Sequence, residues 1–321
     1  MVVARLLKKQ FTYDSVEIIS ENEIPVYIFN NLHINKNLSD VADLSLAGTW
    51  SMVAEGGMNY GHLIKEAFGS FLYSKKIVPE SKALFMNAYG RENQSENQNV
   101  LHILEYLYDR IRHEFGPDFY EIGNIEIHHR HVFIEKLVIV MDNAHIFFEK
   151  EYVFNDVVAP HLSLLLVKYF NNFMQVDEHK PKKIFITRKA VSKELKEKNK
   201  HELPYYNSRY FEEWVENSIE NCFIKNGYVV IDVNGMTIQE QISYFYNATH
   251  IGGIVGCALV NSIFVKDFTT FYAVRPNNMH QPEWHIDAKF INKNINFEYL
   301  DPWECKTYQE IYDFIEDRIY I

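Results

Sequence analysis

The chain has 321 residues, of which 47% are hydrophobic and 15% aromatic, enough to fill the cores of two domains. Its formal net charge of −11 argues against a nucleic-acid partner and provides no polybasic surface for anionic membranes. Cys222, Cys257 and Cys305 lie far apart, with neither the spacing of a disulfide framework nor that of a zinc site. This cysteine usage favours a reducing compartment.

Residues 1–10 contain too short an apolar run for a signal peptide, and no apolar span of about 18 residues follows. We therefore expect a cytoplasmic protein without an integral membrane segment, which could still lie at the periphery of a membrane. A mature fragment of a secreted precursor is the alternative that these residues leave open.

The first half of the chain mixes strand-like and helix-like patterns. Short apolar runs predict strands over 24–30, 49–54, 82–87 and 125–140. Apolar residues at helical spacing predict helices near 59–75, 98–115 and 156–174. These elements indicate an α/β domain over residues 1–175.

From Lys182 the pattern becomes a regular alternation. It predicts strands at 183–187, 228–232 and 269–274, and helices at 208–226 and 237–247. Thr237–Glu240 and Thr307–Glu310 are capping boxes that open α-helices. Strand–helix–strand alternation with short connections implies a parallel sheet covered on both faces, which makes residues 176–290 a second domain. Residues 291–321 form a C-terminal segment and helix.

The segment 250–264, HIGGIVGCALVNSIF, has three glycines within five residues, in a chain with 13 glycines in total. On the predicted scaffold it follows a strand and precedes a helix, at the carboxyl edge of the sheet, where open α/β sheets bind ligands. A glycine-rich turn there would let a phosphate approach backbone N–H groups beside a helix N-terminus. A tight turn that needs positive φ, or close helix–strand packing, would explain the glycines equally well.

Several motifs follow one another in a fixed order along the chain. They are Asn59–Glu66, the strand end Lys182–Arg188, Arg209 with Glu213, Glu240 with Gln241, and the loop from Gly253 to Asn261. This series resembles the inverting glycosyltransferases of family 61. The corresponding motifs of that family are N-x-G-H-x-x-x-[DE], I-[ST]-R, R…NE, EQ and H-G-A-G-L-x-N. The resemblance covers roughly residues 50–275.

The resemblance implies two Rossmann-like domains that face each other across a cleft, the GT-B arrangement, with the C-terminal helix packing back on the first domain. It also implies transfer of a hexose or pentose, with inversion, from a nucleotide sugar to a glycan acceptor, as in polysaccharide biosynthesis. The expected donor is a UDP-sugar. A catalytically silent partner subunit that binds a glycan or a nucleotide is the first alternative, and a nucleotide-sugar epimerase is the second. Each of these three functions is compatible with a homo-oligomer.

One loop departs from the family pattern. Val255 stands where the family loop has histidine, and Cys257-Ala258 replaces its Ala-Gly pair. The change removes a side chain that could contact phosphate or ribose and stiffens the loop. The change could indicate a different donor or a loss of activity, and the sequence leaves both alternatives open.

Sugar transfer needs a group that stabilises the departing diphosphate. The resemblance assigns donor binding to a set of residues in the second domain: Arg188, Arg209, Glu213, Gln241, Gly253, Gly256, Cys257, Ala258 and Asn261. Arg188 ends a predicted strand, from which its guanidinium could bind phosphate in a bidentate manner. A surface arginine, a surface Arg209–Glu213 pair and a capping role for Gln241 are the structural alternatives.

The acceptor hydroxyl needs a general base. His62 and Glu66 are four residues apart on one face of a predicted helix, whose apolar stripe (63, 64, 67, 68, 71 and 72) faces elsewhere. The resemblance assigns the base to this pair, and an exposed helical pair is the alternative. Glu55 is a second candidate for the base.

The run 128–131, His-His-Arg-His, invites a metal-site interpretation. In a strand these side chains alternate between two faces, so at most two of the histidines converge. The sequence also contains no D-x-D motif. We therefore expect an enzyme without metal or cofactor, in which cationic side chains and a helix end replace the ion.

Overall fold

The computed structural model describes residues 11–21, 24–54, 64, 68–86, 109, 112–114, 116–122, 129–140, 158–190, 211–276 and 294–319. The chain divides into two compact units, Met1–Tyr169 and Phe170–Ile321. Each unit combines a β-sheet with α-helices, so the predicted α/β class is confirmed. The division lies close to the boundary expected at residue 175.

The first unit contains a seven-stranded mixed sheet. Its strands are β1 (Phe11–Thr12), β2 (Ser15–Glu21), β3 (Ile24–Ile34), β4 (Leu44–Ala54), β5 (Lys82–Met86), β6 (Phe119–Ile122) and β7 (Val132–Val140). They follow the order β1-β3-β7-β4-β5-β6, and β2 also pairs with β3. Strands β7, β4, β5 and β6 run parallel, whereas β3 is antiparallel to β1, β2 and β7. Four parallel strands therefore form one part of this sheet, and the antiparallel strands around β3 extend it at one edge.

In the described part of the first unit, the α-helices α1 (Gly69–Ile77) and α2 (Val158–Tyr169) pack on this sheet. Tyr73 of α1 and Leu162 of α2 share a core with apolar residues of β3 and β7. The other face buries a second apolar cluster that includes Phe29, Trp50 and Leu137. The central strands are therefore buried on both faces, as the apolar character of β3 and β7 requires.

The second unit contains a parallel five-stranded sheet. Its strands are β8 (Lys183–Ile186), β9 (Val229–Ile231), β10 (His250–Ile254), β11 (Thr270–Val274) and β12 (Asn296–Leu300). Their spatial order is β9-β8-β10-β11-β12, with every neighbouring pair parallel. This is the 2-1-3-4-5 order of doubly wound sheets, in which the direction of winding reverses between β8 and β10.

Helices cover both faces of the second sheet, as predicted. They are α3 (Glu213–Lys225), α4 (Ile238–Asn247), α5 (Tyr308–Ile319) and a 3-10 helix over Cys257–Phe264. Helices α3 and α5 share one core with Phe185 and Tyr272. Helix α4 and the 3-10 helix share the other core with Ile184 and Ile186. Shorter 3-10 turns occupy Lys36–Leu38, Gly116–Asp118, Asn171–Phe173 and Pro302–Glu304.

One face of the C-terminal helix packs within the second unit. Ile311, Ile315 and Ile319 of α5 lie in the apolar core of the second unit, together with residues of α3. This four-residue spacing aligns the three isoleucines on one face of α5. That face of α5 is therefore buried within the second unit, and packing of the helix on the first domain stays a prediction.

Capping residues mark helix starts where the sequence predicts them. The Thr237 hydroxyl accepts from the Glu240 N–H at 3.2 Å, and the Glu240 carboxylate accepts from the Thr237 N–H at 2.8 Å, which completes the first capping box. Thr307 likewise accepts from the Glu310 N–H at 3.2 Å, but the Glu310 carboxylate binds the N–H of Lys306. In the described part of the chain, no helix is long and apolar enough to cross a membrane.

Some predicted boundaries moved. The strand expected over 125–140 begins at Val132 in the described residues, and residues 125–128 lie outside them. The N–H of His131, just before the strand, donates to the Asp43 carboxylate at 2.8 Å. The helix expected over 208–226 begins at Glu213. The predicted helix over 98–115 falls mostly outside the described residues.

Candidate functional site

The carboxyl ends of β8 and β10 meet where the strand order reverses. Thr187 and Arg188 follow the end of β8, and Val255 and Gly256 follow the end of β10, in neighbouring parallel strands. Doubly wound sheets bind ligands in the crevice outside such a switch point. Two of the sequence-predicted donor residues, Arg188 and Gly256, therefore lie where this topology builds a ligand site.

The Arg188 guanidinium lies directly against Gly256. Its Nη1 donates a 2.7 Å hydrogen bond to the carbonyl oxygen of Val255. A Cβ atom on Gly256 would lie 3.0 Å from Cζ and 3.1 Å from both Nε and Nη1 of the guanidinium. The backbone of Gly256 is extended, with φ of 177°, so the close approach of the cation, and not a strained turn, requires glycine here.

Gly252 and Gly253 lie within β10 and not in the turn that follows it. A Cβ atom on Gly252 would lie 2.5 Å from the Phe223 ring and 2.9 Å from the Phe185 ring. A Cβ atom on Gly253 would lie 3.2 Å from that of Ile186 in β8. Close packing therefore explains these two glycines, and of the cluster only Gly256 belongs to the turn.

The Val255 side chain points into the core. It is fully buried in the cluster that contains Ile186 and Leu259, and its N–H donates to the Val274 carbonyl at 2.9 Å. Val255 contacts the Arg188 guanidinium through its backbone carbonyl oxygen. The position that carries histidine in the family pattern thus supplies an apolar core residue, and its backbone anchors the arginine.

Gln241 and Asn261 bind each other in the interior. The Asn261 Nδ2 donates to the Gln241 Oε1 at 2.9 Å, and the Gln241 Nε2 donates to the Met236 carbonyl at 3.2 Å. Both side chains are buried, where polar groups are tolerated only when they are hydrogen-bonded. The pair fastens the 3-10 helix after the turn to α4, so both residues support the turn from within the fold.

Cys257 and Ala258 are the first two residues of that 3-10 helix. The Leu259 N–H donates to the Gly256 carbonyl at 3.0 Å, which closes the first turn. The N-terminal end of the helix, with its partial positive charge, therefore follows directly on the residue that contacts Arg188.

Other predicted site residues are placed less completely. Glu213 is exposed at the first position of α3. Arg209, His62, Glu66 and Glu55 lie outside the described residues, so the Arg209–Glu213 pair and the base stay predictions. Of the apolar stripe predicted beside His62 and Glu66, the described members 64, 68 and 71 are buried and 72 is half-buried.

A charged pair that sequence patterns did not reveal lies at the same edge of the sheet. Arg275 follows β11 and Asp301 follows β12; Nε donates to Oδ1 at 2.6 Å and Nη2 donates to Oδ2. The Asp301 hydrogen bonds raise the pKa of Arg275. The two residues are 26 positions apart, and only the parallel pairing of their strands brings them together.

The histidine run contributes buried His131 to a pair with half-buried His33 in the first unit. The His131 Nε2 lies 2.9 Å from the His33 Nδ1 in β3. Burial, with the positive charges of Lys36 and His131, lowers the pKa of His33. Among the residues that the structure describes, no three His, Cys, Asp or Glu side chains are grouped as metal ligands.

Comparison with family models matches residues 60–272 to glycosyltransferase 61. The match covers more than half of the chain and includes Arg188, the turn at Gly256, and the buried Gln241–Asn261 pair. A comparison with curated proteins found no match. The extent of the family match is sufficient to conclude that this chain belongs to glycosyltransferase family 61.

Proposed function

We propose that the protein transfers a sugar from a UDP-sugar to a glycan acceptor, with inversion at the anomeric carbon. Membership of glycosyltransferase family 61 supports the reaction class. The observation that carries the donor assignment is the guanidinium of Arg188, held against Gly256 at the switch point of the parallel sheet.

In the proposed reaction the acceptor oxygen attacks the anomeric carbon from the face opposite the diphosphate. The bond between that carbon and the diphosphate oxygen breaks, and the leaving group takes both electrons. The acceptor proton passes to a base, for which His62 and Glu66 are the candidates in the first unit. Attack from the opposite face is what inverts the configuration.

Negative charge grows on the leaving diphosphate, and this charge has to be stabilised. Arg188 can donate two parallel N–H bonds to phosphate oxygens from its fixed position beside the turn. The N–H groups at the start of the 3-10 helix Cys257–Phe264 add a partial positive charge. We propose that these groups replace a divalent cation.

The remaining predicted donor residues take indirect or peripheral roles in this proposal. Gln241 and Asn261 hold the turn in place through their mutual hydrogen bond. Glu213, exposed at the start of α3, would lie at the rim with Arg209. The proposal includes the GT-B arrangement, in which the second unit binds the donor and the first provides the acceptor side.

A thermal-shift series with UDP, UDP-sugars and other nucleotides tests the donor site directly. A ligand at 100 times its Kd stabilises the folded state by about 2.7 kcal/mol. Arg188→Ala should weaken UDP binding by about 1.5–3 kcal/mol, because a charged hydrogen bond is lost. Wild-type protein that no nucleotide or nucleotide sugar stabilises would refute the donor site.

Turnover assays then separate the proposed reaction from the alternatives. Sugar transfer to a glycan, or slow donor hydrolysis in its absence, supports the transferase. Donor binding without any turnover identifies a silent binding subunit. Interconversion of the donor sugar without an acceptor identifies an epimerase.

A further inference from the structure

We propose that Glu220 of α3 is a positioning residue that directs the Arg188 side chain towards the Gly256 turn. The effect of Glu220 on donor binding rests on the function proposed above, whereas the effect of Glu220 on the Arg188 side chain does not. Glu220 lies 32 positions from Arg188 along the chain and belongs to none of the family motifs.

Glu220 is a buried carboxylate bound from the end of β8. The Thr187 hydroxyl donates to Oε1, and the Lys189 ammonium donates to Oε2. The Glu220 side chain is only 8% exposed, whereas that of Lys189 is 40% exposed. A buried carboxylate is tolerated when it is both paired and hydrogen-bonded, and here each oxygen has a partner.

The side chains around Arg188 alternate between the two faces of the sheet. Phe185 packs in the α3 core, and Ile186 packs in the α4 core on the opposite face. This alternation continues past the end of the strand. Thr187 and Lys189 reach Glu220 on the α3 side, while Arg188 between them reaches the turn after β10.

One carboxylate therefore holds the two chain neighbours of Arg188. The backbone is fixed further by the Thr187 N–H, which donates to the Ile231 carbonyl at 3.0 Å, and by the Lys189 N–H, which donates to the Thr187 hydroxyl at 3.3 Å. With both neighbours tied to α3, the side chain of Arg188 is directed to the other face. A cation held in its binding direction loses less conformational freedom when an anion arrives.

The ion pair also determines which cation faces the turn. Lys189 is adjacent to Arg188 and carries the same charge, so without Glu220 its flexible ammonium could compete for the same anion. The carboxylate draws Lys189 towards α3. Glu220 thereby separates the two neighbouring cations and leaves Arg188 at the switch point.

The first test needs no ligand. The Nε–H resonance of Arg188 in ¹⁵N-labelled protein is identified by its loss in Arg188→Lys. This resonance should shift or broaden in Glu220→Gln, which removes the charge that pairs with Lys189, and in Thr187→Val, which removes the hydroxyl that binds Glu220. Lys225→Met is the matched control on α3, and the Nε–H of Arg275, bound to Asp301, is the internal reference. An Arg188 resonance that is unchanged in both test variants overturns the proposal.

The second test measures UDP binding by calorimetry in a double-mutant cycle. Glu220→Gln should raise the Kd for UDP about three- to tenfold, which is the range expected when one hydrogen bond is lost. In an Arg188→Ala background the same substitution should have little effect, because Glu220 acts through Arg188. An undiminished effect in that background would show that Glu220 acts on the fold in general, and would overturn the positioning role.

The two tests separate this inference from the proposed function. If the Arg188 resonance responds to Glu220 but Arg188→Ala leaves UDP binding unchanged, the positioning holds and the donor site is wrong. Should Glu220→Gln fail to fold, Thr187→Val and Lys189→Met each remove one partner and keep the carboxylate, and the same resonance decides the outcome.

Discussion

The guanidinium of Arg188 occupies the space that a side chain on Gly256 would need, and it donates a hydrogen bond to the carbonyl oxygen of Val255. Arginine and glycine come from neighbouring parallel strands, 68 positions apart in the chain. This contact joins the two motifs that the family pattern places at the end of β8 and after β10.

Gly256→Ala should displace Arg188 without unfolding the protein. The added methyl group meets the far end of a long side chain that can shift, and the extended backbone accepts alanine, so the free energy of unfolding should change by less than about 1 kcal/mol. UDP binding should weaken by about tenfold, because the cation is moved. Calorimetry and urea denaturation measure the two effects.

Gly252→Ala is the matched control. Here the methyl group meets the rings of Phe223 and Phe185, which the core holds in place. We expect destabilisation by about 1–3 kcal/mol from overpacking, with UDP affinity of the folded protein retained. Equal effects of the two substitutions on stability would contradict this assignment of the glycines.

Val255→His should destabilise the protein and should not increase its affinity for UDP. The side chain at this position is fully buried among apolar residues, where an imidazole would lose its hydrogen bonds to water at a cost of about 1–3 kcal/mol. Urea denaturation with parallel calorimetry tests both statements. A histidine variant with unchanged stability and tighter UDP binding would show that position 255 faces the donor.

Substitution of the general base should reduce kcat and leave donor affinity nearly intact. Glu66→Gln keeps the volume of the side chain and removes its charge, and His62→Asn is the companion variant. Substitution of whichever residue is the base should lower kcat by about 10²–10⁴. Near wild-type turnover in both variants would redirect the search to Glu55.

Chelation should not affect turnover, because we propose that protein cations stabilise the diphosphate. The measurement is the rate of sugar transfer before and after exhaustive treatment with EDTA. Activity that disappears on chelation and returns with Mn²⁺ or Mg²⁺ would contradict the proposal.

Acid should destabilise the first unit through His33. Burial and the charges of Lys36 and His131 lower its pKa from the ordinary value of 6.5, so the unfolded state binds the proton more readily. Stability is therefore complete above about pH 6.5 and is lost as the pH falls through the lowered pKa of the folded state. His33→Gln should flatten this part of a stability–pH profile, whereas an unchanged slope would assign the loss to other groups.

The sequence by itself determined those features that depend on neighbours along the chain. Apolar periodicity located β8, β9 and β11, three of the five parallel strands of the second unit, but it did not locate β10 or β12. The Thr237–Glu240 spacing located the start of α4, because a capping box is a local hydrogen-bond pattern. The ordered motifs also identified the family that the comparison found.

Only the tertiary structure decided contacts between residues far apart in the chain. Three neighbouring glycines have different roles, because Gly252 and Gly253 face packed side chains and Gly256 faces a cation. Likewise, no local pattern joins Glu220 to Lys189, or Arg275 to Asp301. Strand order and helix packing bring these side chains together, and both are set by how whole elements bury their apolar faces.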